Sequence, residues 1–445
     1  MRRFTLILAI TSLAATHARA EKISRLDNGV IQIGVDLDHG GTITLLARSK
    51  GGENLINAHD LGRQIQQSYY SGPTPYGQAH PAWKNWPWNP IGTGDVYGHA
   101  SRVLKHTNDG RSLEVKSIPM QWALDNVPGK CEFETLITLD GPTARVRCRL
   151  VNHRADKTQY PAHDQELPAV YTIGKLHRLF TYEGDEPFTN RPLKRIKNAG
   201  PPWSSWRASE NWAALVDDQG FGVGVIHPGV YSFIGGFHDK PGQGGPKDNP
   251  TGYISPLRRE ILDHNIVYEY DYFLTLGTLD QIRAVATALR IKDRRPDDSF
   301  AHDRRHWTLN GATDGGMPFD GSWKIALGAG ACRLIGPETW WTAASAPRLH
   351  VRASLTGRPR TVWVSWKGVH EESAANGRMK LDLPADGMFH TLELDLASQP
   401  TYRGTLAGLR LEIDAADHAG DVLRVESVSL KSPLAQAKAA VKTGD

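Results

Sequence analysis

The strongest constraint in this sequence is a series of short runs in which apolar and polar residues alternate. The first of them, residues 30–37, has an apolar side chain at every second position. Because neighbouring side chains of an extended strand lie on opposite faces, this spacing predicts a strand with one buried face. His39-Gly40-Gly41 then favours a turn into a second run at 42–47. The alternating apolar positions are Ile31, Ile33, Val35 and Leu37.

The pattern recurs along the chain and predicts an all-β fold that begins with a large antiparallel sandwich at 21–295. The 44 glycines and 27 prolines suit a chain with many turns. One helix is predicted at 279–291, where apolar residues follow helical spacing. Asp140-Gly141-Pro142 predicts the turn of a hairpin. Further strands are predicted at 131–139, 143–151, 213–217, 222–227 and 266–276.

The second part of the chain has a different sequence pattern. Lys292–Ser299 is charged and contains a proline, which predicts a linker at 296–306. From 307 to 432 short strands recur without an evident helix, so we expect a smaller jelly-roll β-sandwich. The closing strands, Gly408–Asp414 and Val422–Leu430, resemble those of carbohydrate-binding modules. Residues 433–445 are low in complexity and are expected to form a disordered tail. The predicted strands are 348–354, 361–366, 379–383, 391–396, 406–413 and 421–430.

The first twenty residues have the pattern of a signal peptide. Arg2 and Arg3 precede an apolar run at 4–15, which is too short to span a bilayer. Ala18-Arg19-Ala20 fits the small-x-small cleavage pattern, so the mature chain is expected to begin at Glu21. No later segment is long and apolar enough to cross a membrane. We therefore expect a periplasmic or secreted protein that does not insert into the membrane once the leader is removed.

The charge balance of the chain limits the kinds of molecule that it can bind. The chain has 52 basic and 48 acidic residues, and removal of the three leader arginines leaves 49 against 48. This balance, without basic runs, gives no electrostatic footprint for nucleic acid.

Cys131 and Cys148 flank the predicted hairpin, but symmetric pairing about its turn does not place them opposite each other. Either a disulfide or two buried thiols fits the sequence. The expected assembly is a monomer or a small homo-oligomer.

Residues 59–95 form a segment that is too polar for a core and too aromatic for a loop without a binding role. Flat rings cover apolar C–H surface, and side-chain amides and carboxylates bind hydroxyls, so a ligand that needs both is a sugar. The alternative is aromatic core beneath a long loop. The predicted substrate-binding residues here are Arg63, Gln67, Tyr70, Trp83, Trp86, Trp88 and Asp95.

The opening residues also carry a family resemblance. Residues 28–63, with a Gly-Gly hairpin followed by Asn54-Leu55-Ile56-Asn57, resemble the start of galactose-mutarotase-like supersandwich domains. The resemblance covers about 24–295 at the level of pattern and indicates no single enzyme family. It implies a carbohydrate-active protein, because this fold recurs in sugar epimerases, glycoside hydrolases and polysaccharide lyases.

Candidate catalytic groups cluster at two places. At 163–171, His163, Asp164 and Glu166 precede an apolar run, and in extended chain the two acids share a face. A paired acid can hold a raised pKa, as a general acid for glycosidic cleavage requires. The alternative is a strand-edge loop with solvated acids.

At 203–212 three tryptophans flank a basic and an acidic residue. Trp203 and Arg207 are predicted to bind substrate, and Glu210 to act as a second carboxylate or to orient hydroxyls. The alternative is a packed tryptophan core with Glu210 in a structural ion pair.

Three functions remain open. In a glycoside hydrolase, Glu166 would protonate the leaving oxygen, and Asp95, Asp164 or Glu210 would act as base or nucleophile. In a polysaccharide lyase, His163, Tyr70 or Tyr171 would abstract a proton beside a uronate carboxylate, which Arg63 or Arg207 would neutralise. The third function is non-catalytic glycan binding. No cofactor is predicted and no metal site is recognised, although scattered Asp and Asn residues permit a structural calcium ion.

Overall fold

The computed structural model describes residues 22–198, 200–369 and 377–431. The predicted signal peptide at 1–20 and the predicted tail at 433–445 lie outside the described residues. Within the described part the chain forms thirty-one strands, one α-helix and three short 3-10 helices, which confirms the predicted all-β class. No helix among the described residues has the length and apolar character needed to cross a membrane.

The first nineteen strands and the helix form the larger sandwich. In chain order they are β1 (Ile23–Asp27), β2 (Ile31–Asp36), β3 (Thr42–Arg48), β4 (Ile65–Ser68), β5 (Pro90–Ile91), β6 (Arg102–Asn108), β7 (Ser112–Ile118), β8 (Met120–Gln121), β9 (Cys131–Asp140), β10 (Thr143–Asn152), β11 (His163–Ile173), β12 (Arg178–Thr181), β13 (Lys194–Ile196), β14 (Ser204–Arg207), β15 (Trp212–Val216), β16 (Phe221–Ile226), β17 (Ser232–His238), β18 (Thr251–Glu260), β19 (Val267–Thr278) and α1 (Leu279–Leu289). The 3-10 helices are Pro81–Trp83, Ala343–Ser345 and Leu396–Ser398.

The remaining strands form the smaller sandwich. They are β20 (Asp297–Ser299), β21 (Thr308–Asn310), β22 (Ala312–Thr313), β23 (Trp323–Leu327), β24 (Cys332–Ile335), β25 (Trp341–Thr342), β26 (Arg348–Thr356), β27 (Val362–Gly368), β28 (Gly377–Leu381), β29 (His390–Asp395), β30 (Thr405–Ile413) and β31 (Val422–Ser429).

Two antiparallel sheets face each other in the larger sandwich. The first sheet has the order β1-β2-β3-β4-β11-β18-β17-β14, with β5 and β8 extending from β4. The second sheet has the order β13-β12-β15-β16-β19-β10-β9-β7-β6. Alternate side chains of both sheets meet in one apolar core, because burying one face of each sheet removes most apolar surface from water. The pairing of β4, β11 and β18 brings residues 65–68, 163–173 and 251–260 side by side.

The hairpin predicted around residue 141 is present. β9 pairs with β10 from Cys131 opposite Asn152 to Asp140 opposite Thr143. In this register Cys148 lies opposite Thr135, so it is not brought against Cys131. Both cysteines are buried free thiols, which settles the sequence alternatives in favour of no bridge.

The predicted helix is present but two residues shorter. The Thr278 side chain and Gln281 form a reciprocal capping box at its start, and the backbone is already extended at Arg290. Ile282 and Ala286 pack against Trp212 and its neighbours on the second sheet. The helix therefore covers part of the outer face of that sheet.

The smaller sandwich likewise has two antiparallel sheets around its own apolar core, and each of these sheets has six strands. One has the order β22-β23-β31-β26-β29 with β20 beside β31, and the other has the order β21-β24-β30-β27-β28 with β25 beside β30. Every strand predicted after residue 340 is found within two residues at its start, whereas the short strands between 308 and 342 were not predicted. β20 lies inside the segment predicted as a linker and pairs with β31.

Buried polar contacts join the two sandwiches. Arg304 donates to Asp263 of the larger sandwich at 2.7 Å and to Asp314 of the smaller one at 2.5 and 2.7 Å. The rings of Tyr231 and Trp340 stack across the same boundary at 5.4 Å.

Candidate functional site

A cavity of about 540 Å³ lies on the face of the first sheet that points away from the second sheet. Its floor comes from β4, β11, β17 and β18, and its walls come from the connections around them. The lining residues are Asp60, Gly62, Arg63, Gln66, Ser68, Tyr70, Trp83, Trp86, Asn89, Ile91, Trp122, Glu166, Ala169, Tyr171, Pro201, Trp203, Ile234, His238, Thr251 and Tyr253.

Glu166 is the central acidic group of this cavity. It lies in β11 beside Ser68 of β4 and Leu257 of β18, immediately before a register shift in both pairings. Tyr70 donates a hydrogen bond to Oε2 at 3.0 Å, and Tyr253 donates one to Oε1. Both oxygens of the carboxylate therefore accept from phenols that come from other strands or connections.

The tyrosines beside Glu166 are held in the protonated form. Burial, and next the negative charge of Glu166, raise the pKa of Tyr70 and of Tyr253 well above the ordinary value. The same two causes raise the pKa of Tyr171, whose ring stacks on Tyr253 at 4.7 Å. At neutral pH the hydroxyls of Tyr70 and Tyr253 are therefore hydrogen-bond donors to the carboxylate.

Aromatic rings form two walls that meet at Glu166. In the first wall, Tyr70 stacks on Trp86 at 6.2 Å, Trp86 contacts Trp83 at 4.3 Å, and Trp83 contacts Trp122 at 6.1 Å. The first wall is thus Tyr70, Trp86, Trp83 and Trp122.

The second wall lies on the other side of the carboxylate. Trp203 contacts Tyr253 at 5.1 Å, and Tyr253 stacks on Tyr171. Because Glu166 accepts from one tyrosine of each wall, it marks the place where the two walls join.

The charges at the rim largely compensate one another. Arg63 Nε lies 3.1 Å from Asp60 Oδ2, and its other nitrogens donate to Asn249 at 2.6 and 2.9 Å. The lining includes two carboxylates, Asp60 and Glu166, against this one guanidinium. The lining therefore contains one more carboxylate than guanidinium groups.

Seven of the predicted site residues converge in the cavity. They are Glu166, Arg63, Tyr70, Tyr171, Trp83, Trp86 and Trp203. The other seven lie elsewhere, and each has a structural reason for its position.

The two neighbours of Glu166 on β11 do not line the cavity. Asp164 is exposed and lies 3.7 Å from Arg259 on the adjacent strand, nearer the start of β11. His163 is half-buried at the first position of β11, and burial together with the charge of Arg259 lowers its pKa. Strand alternation correctly predicts a shared face for the two acids, but only Glu166 reaches the cavity.

Glu210 and Arg207 serve packing instead. Arg283 donates two hydrogen bonds to the buried Glu210 carboxylate at 2.9 and 2.7 Å, and Trp212 Nε1 donates a third. This is the structural ion pair that the sequence left open as the alternative. Arg207 donates to the Val369 carbonyl of the smaller sandwich at 2.7 Å.

The fold also gives structural roles to Gln67, Trp88 and Asp95. Gln67 donates to Thr135 Oγ1 between the sheets at 2.9 Å, and Trp88 is 1% exposed in the core. Asp95 is buried and accepts hydrogen bonds from the backbone N–H groups of Tyr97, His99 and Asn126. Within the described ranges, Asp95 also belongs to the one cluster of three metal-type ligands, with His99 and Asp125. Because both Asp95 oxygens already accept hydrogen bonds, we assign no metal to this cluster.

Among the acidic and aromatic residues that line the cavity, Asp60, Trp122 and Tyr253 were not predicted as site residues from the sequence. Of the seven tryptophans before residue 300, Trp122 is the one that lies outside the two clusters at 83–88 and 203–212. Tyr253 lies 87 residues from Glu166 in the chain. Only the pairing of β18 with β11 places it there, so no local signal could have found it.

Comparison with known proteins gives similarity in structure alone. No family model matches the chain, and no curated protein matches it. Similar solved structures include a putative aldose 1-epimerase from Escherichia coli K12, with 12% identity, 58% of this chain and 99% of that chain covered, and a TM-score of 0.38. A galactose mutarotase-like protein from Lactobacillus casei has 11% identity, coverage of 57% and 100%, and a TM-score of 0.35.

A third similar structure is a GH36 α-galactosidase from Geobacillus stearothermophilus. It has 11% identity, coverage of 61% of this chain and 41% of that chain, and a TM-score of 0.36. These neighbours are of the kind that the resemblance of residues 28–63 suggested, and they single out no enzyme family.

Proposed function

We propose that this protein is a carbohydrate-active enzyme that binds a saccharide in the cavity and cleaves a glycosidic bond at Glu166. The observation that carries the proposal is the Glu166 carboxylate, held by two tyrosine hydroxyls where two aromatic walls meet. Ring faces for apolar C–H surface and oxygen acceptors for hydroxyls are the two features that a saccharide needs.

The contacts of Glu166 favour the role of base or nucleophile over that of acid. A neutral carboxylic acid donates one hydrogen bond, whereas here both oxygens accept from phenols. Glu166 would thus activate water or attack the anomeric carbon, rather than protonate the leaving oxygen. Asp60 is the second carboxylate that lines the cavity and is the candidate partner in hydrolysis.

The charge of the cavity favours a neutral saccharide, and hence hydrolysis over β-elimination. A lyase substrate brings a uronate carboxylate, which needs a cation to neutralise it. Arg63 is the one lysine or arginine in the lining, and its charge is balanced by Asp60. A uronate would meet two carboxylates against one compensated guanidinium, which disfavours its binding.

One observation keeps β-elimination as the second candidate. The hydroxyls of Tyr70 and Tyr253 lie next to Glu166 and remain protonated, so they could donate a proton to a leaving oxygen. The two reactions differ in product, because elimination leaves an unsaturated sugar that absorbs in the near ultraviolet.

The test is a screen of the mature protein against neutral and uronate-containing glycans, read by new reducing ends and by ultraviolet absorbance. On the substrate found, Glu166→Gln should lower kcat by at least about 100-fold, the usual scale for loss of a general base. Asp164→Asn is the matched control, since Asp164 shares the strand and face but lies outside the cavity. Wild-type turnover by Glu166→Gln would refute the assignment, and tight glycan binding without any product would favour a binding protein.

We also propose that the protein is exported to the periplasm or beyond. The support is the leader pattern of residues 1–20. N-terminal sequencing of the protein made in a secreting bacterial host should begin at Glu21, and recovery of an intact Met1 from the periplasm would contradict the cleavage site.

A further inference from the structure

The tryptophans of this chain divide sharply by burial. Among thirteen tryptophans, all in the described residues, eight are buried and five are half-buried. Four of the five half-buried ones line the single cavity around Glu166, namely Trp83, Trp86, Trp122 and Trp203. Incompletely buried indoles leave apolar surface in water, so their concentration in one cavity indicates that a ligand covers them.

These four rings lie on both sides of the reactive carboxylate. Trp86 is the neighbour of Tyr70 in the first wall, and Trp203 is the neighbour of Tyr253 in the second. Since Glu166 is bonded to both tyrosines, one side of it leads to Trp86 and the other to Trp203. A ligand that reacts at Glu166 therefore meets ring surface in two directions.

The first wall continues beyond the reach of one sugar. Trp83 and Trp122 follow Trp86 in edge-to-face contacts, at interplanar angles of 64° and 63° and centroid distances of 4.3 and 6.1 Å. A single pyranose covers about one aromatic ring, so a monosaccharide at Glu166 leaves the outer rings uncovered. A second and a third sugar residue would cover them.

The polar groups beneath the first wall are already occupied. Gln66 accepts from Thr93 and donates to the carbonyls of Leu61 and Arg63. Asn89 donates to the Tyr69 carbonyl at 2.9 Å. Recognition along this wall therefore depends on ring faces more than on hydroxyl readout, which suits sugars with continuous apolar C–H faces.

We infer that the substrate is a neutral oligosaccharide of several pyranose residues, mostly with equatorial hydroxyls, that lies across Glu166. This inference rests on the proposed function, because it assigns the substrate class of the same cavity. Sugar residues on one side of the cleaved bond pack against the exposed ring surface of Trp86, Trp83 and Trp122, and a residue on the other side packs against Trp203. Pyranoses with equatorial hydroxyls present the flat C–H faces that this arrangement needs.

The experiment measures binding of gluco-, manno- and xylo-oligosaccharides of one to six residues to wild type and to Glu166→Gln, by titration calorimetry. Affinity should rise with chain length by about tenfold or more between one and four residues, which corresponds to about 1.4 kcal/mol. Trp122→Ala should remove the gain of the longer chains and leave binding of the shortest ligands unchanged. Trp203→Ala should weaken the shorter ligands as well.

The control is Trp363→Ala, because Trp363 is the fifth half-buried tryptophan and lies in the smaller sandwich outside the cavity. It should leave the length dependence intact. Trp83→Ala gives a second probe of the outer wall if Trp122→Ala fails to fold, as judged by thermal unfolding.

The outcomes separate this inference from the proposed function. Equal affinity for one and four residues, equal effects of Trp122→Ala and Trp363→Ala, or no binding of any neutral oligosaccharide would overturn the inference. Turnover that depends on Glu166 but not on chain length would retain the function and reject the inference. Length-dependent binding with unchanged turnover in Glu166→Gln would retain the inference about the substrate and reject the proposed role of Glu166.

Discussion

At the scale of single residues, the surroundings of two glutamates distinguish a candidate catalytic group from a structural one. Glu166 accepts from two tyrosines in an open cavity, whereas Glu210 is buried and paired with Arg283. Removing one partner of a buried pair leaves an uncompensated charge, so Glu210 stabilises the fold without reaching substrate. The sequence offers both glutamates as candidate carboxylates, and only tertiary contacts distinguish them.

A pH effect on stability is expected from His227. This side chain is buried and stacks on Tyr270 at 5.7 Å, and burial, followed by the charge of Arg258, lowers its pKa to about 3. An unfolded histidine titrates near 6.5, so below that pH the unfolded chain binds a proton that the folded chain excludes. Stability therefore falls as the pH drops below about 6.5, by at most about 1.4 kcal/mol per pH unit.

The measurement is urea unfolding of wild type and His227→Phe at pH 7 and pH 5. Wild type should lose about 2 kcal/mol more than the variant between these values, since the phenyl ring keeps the stacking but does not titrate. His153→Phe is the control, because His153 is 56% exposed. Parallel losses in wild type and His227→Phe would contradict the assignment.

At the scale of elements, β11 shows how far local pattern reaches. Alternation along 163–166 correctly puts Asp164 and Glu166 on one face. The chemical difference between them comes from the flanking strands: Asp164 lies beside Arg259, and Glu166 lies beside Ser68 and Leu257. Pairing with β4 and β18 therefore selects the carboxylate that faces the cavity.

At the scale of the whole molecule, Arg304 joins the two sandwiches. Its guanidinium is 6% exposed and bridges Asp263 in the larger sandwich to Asp314 in the smaller one, and both carboxylates are buried. Loss of the cation would leave two buried negative charges without a compensating positive charge, at a cost of about 3–5 kcal/mol.

Arg304→Met should therefore lower the unfolding temperature and split a single calorimetric transition into two, one for each sandwich. Arg305→Met is the matched control, because the neighbouring side chain is 53% exposed and lies 3.8 Å from Asp303. An unchanged single transition in Arg304→Met would show that other contacts, such as the Tyr231–Trp340 stack, are sufficient to couple the sandwiches.

The sequence by itself determined the all-β class, the main hairpins, the helix after residue 278 and the aromatic segment that supplies three of the four rings of the first wall. These features follow from the local periodicity of side chains and from turn residues, which act over a few positions. Tertiary structure alone decided that Trp88 and Gln67 enter the core, that Glu210 pairs with Arg283, and that Trp122 and Tyr253 join Glu166. The physical reason is sequence distance: Glu166 meets Tyr70 and Tyr253 across 96 and 87 residues, and strand pairing, which no local pattern encodes, closes both gaps.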